Sequence, residues 1–129
     1  MQKSQIIFRS IWPIGLMVLI FVESSIPMDG GSDNIVFLTH LDPSFQNLLH
    51  IPLYGTLSFL WLNFFVSIGY PLRKAILLAI FITIGYGCLD EFHQSFVRGR
   101  YAGLLDILLN GVGAIVGIWI SLWRFAKAR

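Results

Sequence analysis

The residues able to do chemistry in this chain are few and closely grouped. Asp90, Glu91, His93 and Gln94 share one short run, Asp106 and Asn110 are four apart, His50 and Tyr54 are four apart, and Arg98 and Arg100 flank a glycine. An imidazole beside carboxylates is the equipment of general acid–base catalysis, with His50 as base and Asp90, Glu91 or Asp106 as its orienter or as an acid. Arginine offers instead a two-pronged contact to phosphate or carboxylate. Asp90, Glu91 and His50 could together ligate a divalent metal, but adjacent helical residues point ~100° apart and no HExxH pattern supports zinc. We therefore expect no metal and no cofactor. A G-x-S-x-G nucleophile elbow is also missing, which argues against a serine hydrolase. The single Cys88 excludes an internal disulfide and a cysteine-based zinc cluster. Lying in an apolar run, it is expected to be a buried, inert thiol.

These groups must be positioned by a very apolar chain. Of 129 residues, 56% are hydrophobic and 12% charged, against roughly 25% charged in an ordinary soluble domain. The apolar residues come in long blocks, so a lipid-facing surface explains them better than an oily soluble core. The expected fold is an all-α integral membrane bundle of four transmembrane helices in a single domain, with spans at about 6–26, 48–68, 75–94 and 103–123. Lys3 and Arg9 before the first span also fit a signal peptide, but Glu23-Ser24-Ser25-Ile26-Pro27 is no cleavage site, so an uncleaved anchor is expected. Residues 27–47 read as a polar connector, whose apolar patch 35–38 is placed at the interface. Residues 69–74 read as a short turn. The uncharged part of the third span is short, ~22 Å at 1.5 Å per residue against a hydrocarbon thickness of ~30 Å. Asp90 and Glu91 therefore belong at or just below the interface.

Lys and Arg set the orientation. Lys3, Arg9, Arg73, Lys74, Arg124, Lys127 and Arg129 fall on one side, and only Arg98 and Arg100 on the other. Seven against two places both termini in the cytoplasm, with Trp12, Trp119 and Trp123 near the cytoplasmic ends as an aromatic belt. All seven acids and all three histidines then lie in the outer half.

Helical phase narrows this further, since residues three and four apart share a face. Gly103, Asp106, Asn110, Gly113, Gly117 and Ser121 form one stripe; Thr83, Gly87, Asp90 and Gln94 form another, flanked by Tyr86 and His93; His50, Tyr54 and Trp61 form a third. Gly113 and Gly117 make a small-xxx-small packing face. A charge at a helix centre costs about 2.5–3.5 kcal/mol on insertion scales and must face protein or water. The stripes should therefore meet in a polar pocket opening outward. Plainer roles exist for each residue: Asn110 as a packing hydrogen bond of ~0.6 kcal/mol, Tyr54 as an interface anchor, Asp90 with Arg100 as a structural ion pair, His93 facing solvent.

The run Asp90-Glu91-Phe92-His93-Gln94, the Gly99-Arg100 turn and the spacing Asp106…Asn110…Gly113 resemble the signature of the VanZ-like membrane proteins. His50 with Tyr54 is similar to that family's His-x-x-x-Tyr, and residues 21–25 to the end of its first span. The resemblance covers nearly the whole chain. It departs at Gln46-Asn47, where the family often has Asp-Lys, and at Arg98, where proline is common; Arg100 is taken as the family arginine. The resemblance implies a four-span protein of the bacterial inner membrane. The family's namesake is associated with low-level resistance to the glycopeptide teicoplanin.

Two functions compete. The first is a cell-envelope protein whose pocket binds an anionic lipid, a lipid-linked envelope precursor or a partner. Arg100 would hold the anion, Asp90, Glu91 and Asp106 would orient the arginines, and His50, Tyr54, Gln94 and Asn110 would supply polar contacts. The second is an intramembrane enzyme acting on a lipid or envelope headgroup through His50 with Asp90, Glu91 or Asp106. A transporter is disfavoured, because the cytoplasmic halves of the stripes are glycine and aromatic. Scattered basic residues exclude nucleic acid as a partner. The oligomeric state stays open.

Overall fold

The computed structural model describes residues 3–28, 48–100 and 103–128. Among them are four helices: α1 (Lys3–Ser24), α2 (His50–Ser67), α3 (Leu72–Gln94) and α4 (Leu104–Lys127), with no strand. Most of the connector, with its 35–38 patch and Gln46-Asn47, lies outside the described residues. The α2–α3 turn is tight because Gly69 takes φ +94°, a left-handed conformation open to glycine. Arg73 and Lys74, read in the sequence as part of that turn, instead form the first turn of α3.

Three helices are long and apolar enough to cross a membrane: residues Ile6–Ser24, Leu72–Gln94 and Leu104–Lys127. The remaining helix, α2, is 18 residues long and carries His50, Tyr54, Thr56, Ser58 and Asn63. Its polar groups are tolerated because α2 packs on α1, α3 and α4, most extensively on α4.

The bundle is turned inside out relative to a soluble protein. Its surface is Ile7, Phe8, Leu19, Phe81, Leu104, Trp119 and similar side chains, while Asp90, Glu91, Gln94, Asp106 and Asn110 are buried. Water would favour the opposite arrangement; hydrocarbon as solvent favours this one. A membrane-embedded helical bundle is the result. Cys88 is exposed on the apolar exterior rather than buried. The inward face of α3 runs through Thr83, Gly87, Asp90, Glu91 and Gln94, and Cys88 sits a ~100° step off that face.

The closest packing joins α2 to α4, which run parallel. A Cβ on Gly113 would strike the Ile51 carbonyl oxygen, and one on Gly117 would overlap the Gly55 carbonyl and the Ser58 hydroxyl. Contact of this kind needs glycine, and it brings polar rungs into register. Ser58 donates to the Ala114 carbonyl at 2.9 Å and Asn63 donates to Ser121 at 3.0 Å. Beside them Leu57, Trp61, Leu62, Phe65, Ala75, Ala79 and Ile118 form an apolar core with Ile20 of α1.

Candidate functional site

The register of α2 on α4 brings His50, in the first turn of α2, beside Asn110, two turns into α4. His50 Nδ1 lies 2.7 Å from Asn110 Oδ1. An amide oxygen accepts, so Nδ1 carries the hydrogen, and in the neutral ring Nε2 keeps the lone pair. Glu91 Oε1 stands 4.0 Å from the same Nδ1, an electrostatic rather than a hydrogen-bonding distance. The His50 ring stacks over Tyr54, centroids 6.0 Å apart. Tyr54 in turn donates its hydroxyl hydrogen to Asp90 Oδ2 at 3.1 Å, and Gln94 Nε2 donates to that same oxygen at 3.0 Å.

Asp90 and Glu91 are both buried although they are sequence neighbours, because α3 wedges between two partners. Asp90 turns toward α2. Glu91 turns toward the start of α4, where Oε2 accepts the Gly103 N–H at 3.3 Å. Asp106 occupies the first turn of α4 and lies within electrostatic reach of His50 and Glu91. Both carboxylates thus sit at the positive end of the α4 dipole, which favours negative charge. Asp90, Glu91, Gln94, Asp106 and Asn110 are each 7% exposed or less. His50, at 18% side-chain exposure, is the most accessible member. The polar residues gather as expected, but they close on one another instead of walling an open pocket.

Five buried polar atoms make no hydrogen bond among the described residues, and three of them fall in this cluster, Asp90 Oδ1, Glu91 Oε1 and Asn110 Nδ2; the other two, Trp61 Nε1 and Thr83 Oγ1, are single groups elsewhere in the bundle. Buried polar groups are ordinarily satisfied, since leaving one unmade costs about 1–3 kcal/mol.

Arg100 is not part of the cluster. Its guanidinium donates to Glu23 Oε1 at 2.7 Å, to the Glu23 carbonyl, and to the Ile26 carbonyl at 3.2 Å. The last carbonyls of α1 have no intrahelical partner, and a cation is favoured there. Arg100 therefore pairs with Glu23, and the plainer alternative of an Asp90–Arg100 ion pair is not formed. The Met28 N–H also donates to the Arg98 carbonyl at 3.0 Å, so the turn containing Gly99 (φ +77°) is stitched to α1. His93, expected to face solvent, lies 2.9 Å from Ser25 Oγ and packs on Phe21. Glu23 and Ser25 were missed as partners. The signal available was their position at the C-terminal end of the first span.

A parallel and antiparallel set of apolar helices with one buried polar cluster at one end defines a helical membrane protein. The family model of VanZ/LLP1 matches residues 5–125. The chain belongs to the VanZ/LLP1 family. No curated protein and no solved structure matches it. Among the described residues no group of three or more His, Cys, Asp or Glu is arranged to hold a metal ion.

Proposed function

We propose that this is a multi-pass protein of the bacterial plasma membrane and cell envelope, with four spans and both termini cytoplasmic. It binds the polar headgroup of a lipid or lipid-linked envelope precursor at the outer end of the bundle. The seven-against-two distribution of Lys and Arg supports the orientation. The observation that carries the binding reading is the trio of buried, unpartnered polar atoms on Asp90, Glu91 and Asn110. What supports a ligand is that three such atoms converge, two acceptors and one donor, where one polar group could complete them together. In this reading Arg100 serves an anionic headgroup only by exchanging Glu23 for it. The teicoplanin association of the family's namesake fits an envelope ligand.

The test is mass spectrometry of lipids retained by purified protein. Wild type should keep a defined lipid that Glu91→Gln and Asn110→Leu lose by roughly tenfold or more, about 1.4 kcal/mol. Equal retention by all three sinks the reading. Arg100→Ala separates the anionic version: unchanged retention removes any anion role for Arg100.

A second reading has its own support. The His50 imidazole is oriented through Nδ1 by Asn110 with the Glu91 carboxylate close by, which is the arrangement of a positioned general base. An enzyme acting on a headgroup would turn over a defined lipid, and His50→Ala would abolish the turnover. A His50→Ala protein with full turnover excludes that role.

A further inference from the structure

We infer that the group held by the cluster is a primary ammonium, RNH3+, presented by a headgroup that also carries an acceptor oxygen. The inference rests on the headgroup reading and narrows it. Among the described residues Asp90 and Glu91 face one imidazole, that of His50, and the guanidinium of Arg100 is occupied by Glu23. Acceptors consequently outnumber donors. Tyr54 and Gln94 both spend their hydrogens on Asp90 Oδ2, leaving Asp90 Oδ1 without one. The Gly103 N–H goes to Glu91 Oε2, leaving Oε1 without one. Glu91 is 3% exposed and Asp90 4%, so bulk water does not solvate these oxygens.

An ammonium group supplies both missing quantities, a positive charge and three hydrogens able to reach separate carboxylates. A quaternary ammonium supplies the charge without the hydrogens, and a headgroup with phosphate alone supplies neither. Asn110 Nδ2, the unpartnered donor in the same cluster, would take a phosphate or hydroxyl oxygen of the same headgroup. The cluster lies at one end of the bundle, and its most accessible member, His50, marks the side from which a headgroup would approach while its acyl chains stay in lipid.

The experiment is thermal unfolding of the purified full chain in detergent, with phosphatidylethanolamine, phosphatidylcholine or phosphatidylglycerol added, or free ethanolamine. The ethanolamine lipid should raise the midpoint of wild type by about 5 °C and leave that of Glu91→Gln unmoved. The choline and glycerol lipids should do neither. If the choline or glycerol lipid stabilises wild type as well, and Glu91→Gln abolishes the effect, the ammonium inference is overturned while the headgroup reading survives. If no lipid acts, both fail. If free ethanolamine alone reproduces the shift, the ammonium is confirmed and the lipid as its source is overturned. The ranking of lipids on wild type needs no variant to fold, and Glu91→Gln keeps the shape of the side chain.

Discussion

At the scale of single residues, the cluster is a set of acceptors competing for too few donors, and each donor should therefore matter. Tyr54 is fully buried and its hydroxyl is spent on Asp90. Tyr54→Phe should destabilise the fold by about 1–3 kcal/mol, the range for stranding a buried polar group, measured by denaturant unfolding in detergent. Asp90→Asn combined with Tyr54→Phe should recover part of that loss, because an amide is less dependent on a donor than a carboxylate. A double variant as unstable as the sum of the singles would show that the two side chains do not interact. Much of this was legible in sequence: the four-residue spacings of His50 with Tyr54 and of Asp106 with Asn110 placed each pair on one face. The partner of Arg100 was not. Glu23 lies 77 residues away on another helix, and no periodicity relates residues on different helices.

At the scale of elements, the site is held in register by glycine rather than by the polar groups themselves. Gly113 and Gly117 let α4 lie against the backbone of α2, which sets the height at which His50 meets Asn110. Gly117→Val would drive a side chain into the Gly55 carbonyl and Ser58. It should destabilise by about 1–3 kcal/mol or more, as overpacking does. Gly111→Ala, on the same helix with open space around it, should be neutral or stabilising by up to about 1 kcal/mol, since alanine is the better helix former. Equal effects of the two substitutions would contradict the packing account. The glycine stripe was visible from its four-residue repeat. The packing of α2 on the other three helices was not, because a helix that hides its polar residues among neighbours looks less membrane-like than its position warrants. The exposure of Cys88 was misjudged for a related reason: an apolar run gives no phase, so lipid-facing and core-facing positions read alike.

At the scale of the whole molecule, the proposed topology puts the polar cluster outside and the basic termini inside. In a Cys88→Ser background, Ser95→Cys, exposed just past the end of α3, should react with a membrane-impermeant maleimide added to intact spheroplasts. Ala126→Cys, near the end of α4, should react only after lysis. The reverse pattern would invert the protein and place the site in the cytoplasm. The account as a whole depends on the cluster being a ligand site and not a sealed packing contact. The most direct measurement is an experimental structure of the protein in nanodiscs carrying native lipids. We predict headgroup density within hydrogen-bonding distance of Glu91 Oε1 and Asp90 Oδ1, reached past His50. A closed cluster in which those oxygens bond only to the protein's own side chains, with every lipid headgroup elsewhere, would contradict it.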